Sequence, residues 1–392
     1  MLPKGFLLAT AEAGIKKPGR KDLALVYSEV EAATAGLFTT NKVKGAPVKL
    51  DMERIKSGRG RAIIVNSGNA NVCTGKQGMK DAEETAKIAA NGLGIDENLV
   101  YVCSTGVIGA PMPMDRMRPG LKRLSAEVGK ASLEDAARAI MTTDTFPKFI
   151  TKDLHINGKE IRISAFAKGA GMIQPDMATM LCFIMTDAAI GKTQLKKMLS
   201  DAALKSFNRI TVDGDTSTSD TALMMANGMA GNNPLKENSA DLKKFKNALD
   251  SICFELARMI MKDAEGATKL IEIIVKGAKS GKEALKGAFT VANSLLVKTA
   301  MYGNDSNWGR IMAALGRSGI TLDEEKVDIF MERLNIVKKG AALGKDLEAN
   351  RILKENKEIK ITVDLNQGGG SARVLTCDLS EEYVRINAEY RS

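Results

Sequence analysis

Apolar positions along the chain switch repeatedly between the two-residue period of strands and the three-to-four-residue period of helices. DLALVYSE and RAIIVNSG read as strands, and KDAEETAKIAANGLG as a helix that Gly94 closes. LVYVCSTGVIG reads as a strand running into a glycine loop, and SLEDAARAIMTTD as a helix. DLHINGKEIRI alternates around Asn157-Gly158, the signature of a two-residue hairpin. TMLCFIMTDAAI opens with an uninterrupted apolar run, as expected of a strand buried on both faces. The strongest helical spacing joins Leu242, Phe245, Leu249, Cys253, Leu256 and Ile260, between about Ala240 and Lys262. AEGA then makes a tight connection into the strand TKLIEIIVKG. After about Gly281 the pattern shifts to helices rich in small residues, ANSLLVKTAMYG and MAALGRSG. The strands EIKITVDL, ARVLTCDL and EYVRIN follow, with NQGGGS as a hairpin turn. Together these elements predict an α+β fold: a large layered body and a smaller C-terminal α/β domain over about 281–392.

At 392 residues the chain is too long for one compact core. No repeat of 20–50 residues indicates a solenoid or propeller, and no apolar run reaches the ~18 residues of a membrane span. The N-terminal apolar run is too short, and too soon broken by Glu12, to read as a signal peptide, so we place the protein in the cytoplasm. The net charge of +10 is spread over both halves, and aromatics are 4% of the residues. With so few stacking platforms and no basic face, nucleic acid is not an expected partner. Five cysteines, Cys73, Cys103, Cys182, Cys253 and Cys377, show no CxxC spacing and read as reduced thiols. There is one histidine, His155, and the hairpin pattern claims it as a turn-flanking residue. Two-histidine metal sites are therefore impossible within one chain, and a hydroxyl nucleophile has no obvious imidazole base.

Several familiar signatures are incomplete. Gly191-Lys192-Thr193 ends like a phosphate-binding loop but has Thr186 where glycine is required. Gly169 and Gly171 lack the third glycine of a dinucleotide fingerprint. VDGDTSTSD has Asp213 and Asp215 at calcium-loop spacing, with Thr218 and Met224 where glycine and glutamate belong, so it reads as a structural turn. KGAGMIQPDMATMLCFIM is of a different kind. Its glycines permit close backbone approach, and the small Ala178 precedes Thr179 at the mouth of the buried strand. A threonine freed at an N-terminus carries its own base, an α-amine of pKa ~7.7–8.0. Freeing it requires a break between Ala178 and Thr179. By spacing alone, Thr179 reads as an ordinary strand residue.

The chain resembles the glutamate N-acetyltransferase (ornithine acetyltransferase) family of arginine biosynthesis, end to end. The likeness rests on GRKDLALV, NSGNANVCTG at 66–75, STGVIG at 104–109, MTTDTFPK at 141–148 and KGAGMIQPDMATML at 168–181. It continues through TVDGDTSTSDT at 211–221, DAEGATK at 263–269, GNDSNWGRI at 303–311 and YVRINAEYRS at the terminus. The resemblance implies an α/β/β/α sandwich similar to N-terminal-nucleophile hydrolases. It implies self-cleavage between Ala178 and Thr179 into an α-chain, 1–178, and a β-chain, 179–392, assembled as a dimer of αβ pairs. The implied reaction is ping-pong acetyl transfer from N2-acetylornithine to glutamate through an acetyl ester of Thr179, with acetyl-CoA a candidate second donor. Thr105 and Gly106 match the family's oxyanion donors, and Thr145, Lys168, Thr179, Glu265, Asn387 and Ser392 its substrate contacts. No metal or organic cofactor is implied. Two other classes stay in view: an amidohydrolase or aminopeptidase with an N-terminal threonine nucleophile, and a non-enzymatic basic binding protein.

Overall fold

The computed structural model describes residues 1–174 and 180–389, and the chain packs as two compact units. The first takes Met1–Gly169, the described residues up to Asn208, and Thr216–Ile260. Its elements are β1 (Phe6–Ala11), β2 (Leu23–Phe38), α1 (Ala46–Arg54), β3 (Arg59–Asn69), α2 (Gly75–Leu93), β4 (Val100–Val107), α3 (Met114–Ala126) and α4 (Leu133–Ile140). They continue with β5 (Lys148–Ile156), β6 (Lys159–Lys168), β7 (Leu181–Thr186), α5 (Lys192–Lys205), β8 (Thr221–Ala226) and most of α6 (Ala240–Lys262). The strand order is β4-β3-β2-β8-β7-β6-β5, with β1 also on β2.

The long strand β2 makes two layers from this one set of strands. Its first half, Leu23–Tyr27, lies between β1 and β3, and its second half, Ala33–Phe38, pairs with β8. The register shifts between Tyr27 and Ala32, where an irregularity of this kind bends the strand. Side-chain alternation then sorts the faces. Val26, Ile63, Val65 and Cys103 share a buried cluster with Phe166, Leu181, Phe183, Met185 and Leu223, so the two sheet layers face each other. Residues of the opposite parity, Leu25, Ile64 and Val102, pack with Ala86 of α2 and Leu121 of α3. On the outer face of β7, Cys182 lies beside Cys253 of α6. The result is the expected α/β/β/α layering. Local signals fit it: Ser132 and Asp135 form a capping box on α4. Asn157 and Gly158, at φ +50° and +70°, turn the β5–β6 hairpin, leaving His155 exposed beside Glu160.

The second unit comprises Arg209–Asp215, the chain from Met261 onward and a short segment beginning at Ala170. It holds β9 (Leu270–Ala278), α7 (Gly281–Ala292), α8 (Leu295–Tyr302), α9 (Trp308–Gly316), β10 (Asp328–Met331), β11 (Leu334–Lys338) and β12 (Ala341–Ala342). α10 (Asp346–Glu355), β13 (Glu358–Asp364), β14 (Gly370–Cys377) and α11 (Glu381–Ala388) complete it. The sheet order is β12-β11-β10-β13-β9-β14. Two expectations fail here. NQGGGS is not a hairpin turn, because β13 and β14 flank β9 rather than each other. The apolar run of β9 lies between them, parallel to β13 and antiparallel to the edge strand β14. EYVRIN is helical: it belongs to α11, which follows Ser380 with Glu381 and Glu382 in its first turn and pairs Glu382 with Arg385. No residue of α11 is buried, so its weak alternation had no sheet to join.

Phe183 is fully buried between the two sheet layers, its ring 5.2 Å from that of Phe166. Phe183→Ala is expected to cost about 3–5 kcal/mol, read as a lower urea midpoint.

Candidate active site

In the first unit, strand ends assemble a cationic cluster. β4 runs parallel to β3, placing Thr105 opposite Ser67 and Gly106 opposite Gly68. Gly106 has φ +132°, and a Cβ there would fall 2.3 Å from the main-chain carbon of Gly68. Only glycine fits this approach. Lys168 ends β6 with 6% exposure. Its Nζ donates to Thr142 Oγ1 at 2.7 Å and, over a longer 3.3 Å, to Thr105 Oγ1. Asp144 ties the neighbouring backbone together. Its Oδ1 accepts from Lys148 Nζ at 2.8 Å and from the Gly169 N–H at 2.7 Å, and its Oδ2 accepts from the Thr142 N–H at 3.0 Å. The side chains of Asp144 and Lys148 are fully buried. Burial alone would raise the Asp144 pKa, but the Lys168 and Lys148 ammonium groups outweigh it and hold it at about 2. Lys16 donates to the carbonyls of Ala139 and Met141 at the end of α4. Burial lowers its pKa to about 8, with the Lys168 charge adding to the effect and Asp22 and Asp144 opposing it.

The second unit, taken by itself, builds an acidic group. Glu265, 8% exposed, accepts from Asn387 Nδ2 at 2.9 Å, and its N–H donates to the Ala170 carbonyl at 2.9 Å. A Cβ on Gly171 would fall 2.2 Å from Glu265 Oε2, so the carboxylate lies flat against bare backbone. Nearby, Asp213 accepts from the N–H groups of Met172 and Ile173 at 2.6 and 2.9 Å, and Tyr383 Oη donates to it at 3.2 Å. Burial raises the Asp213 carboxyl pKa against these hydrogen bonds.

Of the residues expected from sequence, the structure joins Thr105 to Lys168 and Glu265 to Asn387. Thr145 is exposed, and Lys168 donates to Thr142 as well as to Thr105. Ala178, Thr179 and Ser392 lie outside the described residues. Asp144, Lys148, Thr142 and Lys16 were not anticipated. The only trace of the first two is an acid and a lysine four apart within TTDTFPK. Among the described residues no group of three or more His, Cys, Asp or Glu could hold a metal ion, and no helix is long and apolar enough to cross a membrane. Chemically, an ammonium and a hydroxyl beside a glycine strand end suit a carboxylate or a developing oxyanion. A carboxylate aligned by an amide suits an ammonium.

Residues 7–392 match the ArgJ family. The arginine biosynthesis bifunctional protein ArgJ of Geobacter sulfurreducens is 52% identical over 390 residues, covering 99% of each chain. The glutamate N-acetyltransferase of Methanocaldococcus jannaschii is 47% identical, over 99% of this chain and 97% of its own. The crystal structure of the ArgJ protein of Bacillus halodurans superposes with a TM-score of 0.52 at 45% identity, over 53% of this chain and 98% of the solved one.

A carboxyl held at about 2 when folded, against ~3.9 unfolded, contributes stability that is full above pH ~4 and lost as pH falls toward about 2. Between pH 4 and 3 the urea midpoint of the wild type should therefore fall more steeply than that of Asp144→Asn.

Proposed function

The chain belongs to the ArgJ family, and we propose that it transfers the acetyl group of N2-acetylornithine to glutamate, giving ornithine and N-acetylglutamate for arginine biosynthesis. The observation that carries this reading is full-length identity near 50% to relatives named for arginine biosynthesis and for glutamate N-acetylation. The two polar groups support it, since both substrates are amino acids with a carboxylate and an ammonium to be recognised.

In the proposed mechanism the Thr179 hydroxyl first attacks the Ala178 carbonyl, and the Ala178–Thr179 C–N bond breaks to leave an ester on Oγ. Water hydrolyses that ester, freeing the Ala178 carboxylate and a Thr179 α-amine that serves as base. Thr179 Oγ attacks the acetyl carbonyl while its proton passes to the amine. The bond to the ornithine nitrogen then breaks, and that nitrogen leaves with the proton. Glutamate nitrogen attacks the resulting acetyl ester, its proton returns to Oγ, and N-acetylglutamate departs. Thr105 and Gly106 are the oxyanion donors in this scheme, each worth about 3 kcal/mol. Donation from Lys168 to Thr105 Oγ1 supports that role, because it leaves the hydroxyl's own proton for another acceptor. Lys168 is assigned to a substrate carboxylate and Glu265 to a substrate ammonium, with Thr145, Asn387 and Ser392 as further contacts. The Bacillus halodurans chain aligns over about half of this one, the share expected of one cleavage product. We assign the products to a cytoplasmic dimer of αβ pairs.

Intact-mass measurement with N-terminal sequencing should find a chain beginning Thr-Met-Leu, and Thr179→Ala should abolish both cleavage and acetyl transfer. An intact, unprocessed wild-type chain would remove Thr179 from its role. Incubation with acetyl-CoA and glutamate alone tests the second donor: formation of N-acetylglutamate means one acetyl-enzyme serves both, and none confines the enzyme to recycling.

A further inference from the structure

The acidic block TVDGDTSTSDT reads as a turn, yet its last acid is placed with more constraint than a turn requires. Asp220 immediately precedes β8 and is 1% exposed. Its Oδ1 accepts from the N–H of Met180 at 2.9 Å. The Met180 carbonyl in turn accepts from the N–H of Thr221 at 3.1 Å. Both main-chain groups of Met180 are thus held by two consecutive residues, at the point where β7 and β8 begin their parallel pairing with Leu181 opposite Thr221.

The loop carrying Asp220 is itself pinned. The Thr39 N–H donates to the Asp220 carbonyl at 3.0 Å and Thr39 Oγ1 to the Ser217 carbonyl at 2.6 Å. The Gly45 N–H reaches the Thr218 carbonyl at 3.0 Å, and Asn41 Nδ2 the Thr216 carbonyl at 2.8 Å. A backbone acceptor would satisfy one N–H without burying an acid. Here a carboxyl is buried instead, and its Oδ2 has no partner among the described residues. Burial pushes its pKa well above the usual range, against the pull of the Met180 N–H, the Lys168 charge and the nearby Ser217 hydroxyl. So expensive a placement calls for a role beyond the turn.

Resting on the reading that Thr179 is the nucleophile, we propose that Asp220 is a positioning residue for it, acting through the Met180 main chain. The peptide unit is planar, so the Met180 N–H shares a plane with the carbonyl and the Cα of residue 179. Asp220 thus holds the nitrogen to which residue 179 is directly bonded, and losing that hydrogen bond frees the nucleophile's immediate neighbour in the chain. The constraint acts first on cleavage and then on acetyl transfer, because residue 179 remains bonded to Met180 in both.

The test compares Asp220→Ala, which removes the acceptor, with Asp220→Asn, which keeps one for the Met180 N–H. Cleavage is followed by intact mass, and kcat and KM are measured on the processed protein. Asp220→Ala should slow cleavage and lower kcat by about a hundredfold, the scale of a misplacement near 1 Å, with KM changed by less than about threefold. Asp220→Asn should restore most of both. Wild-type behaviour of Asp220→Ala, or a rise in KM at unchanged kcat, overturns the proposal. Equal loss in both variants also overturns it, since the charge rather than the hydrogen bond would then be required. If Asp220→Ala does not fold, Asp220→Leu fills the space without an acceptor and is read by the same outcomes. The wild type separates the two levels of argument: failure of its own cleavage or transfer removes the functional reading, whereas a competent wild type with a competent Asp220→Ala removes this inference alone.

Discussion

The carboxylate of Asp144 sets the conditions under which the end of β6 can exist. Lys148 is fully buried, and Lys168 nearly so, at a place where strands meet rather than at a solvated face. A buried cation left without its counter-charge costs about 3–5 kcal/mol. Asp144 supplies that charge and does more, since it also receives the N–H groups of Gly169 and Thr142. The same group that neutralises the lysines therefore fixes the backbone on either side of them. Lys168 meets Thr105 in a defined direction because both of its flanking supports are already anchored.

The layered first unit explains why these groups come from distant parts of the sequence. Chemistry-bearing residues sit where strands end: Thr105 late in β4, Lys168 at the close of β6, and Asp220 at the threshold of β8. Strand interiors are committed to apolar packing on both faces, as the wholly buried β7 and β8 show. Polar function is left to the rims, where loops can carry it without breaking a ladder. Gly106 serves this arrangement by letting the end of β4 approach the backbone of Gly68 and Asn69 closely enough to exclude a Cβ.

What could be read from the sequence follows how local each signal is. The α6 spacing, the Asn157-Gly158 hairpin and the apolar run of β7 are short-range patterns, and each formed as expected. Strand partnership is not local, and there the reading failed: NQGGGS looked like a hairpin, but β9, some ninety residues earlier in the chain, lies between the strands it connects. EYVRIN failed for a related reason, since a weak alternation means little without a sheet to receive it. The shift of pattern near Gly281 marks a run of helices, whereas the second unit already includes β9. At the site, Lys168 and Glu265 came from likeness to a family. Asp144 and Lys148 became visible only when burial showed that an acid and a base four apart were paired away from water.

The pairing of β6 with β7 has a consequence for a chain cut between residues 178 and 179. The two strands are antiparallel neighbours, matched from Ile163 opposite Thr186 to Lys168 opposite Leu181. A nick there would sever the covalent path between them and leave this ladder whole. The first fragment would own β1–β6 and the second β7 and β8, set between β2 and β6 in the same sheet, so the two could part only by unzipping both seams. Their union would be non-covalent in bonding yet kinetically permanent while native. Once denatured, though, the two pieces would have to find each other, and recovery of the fold would change from a first-order process into one that depends on concentration.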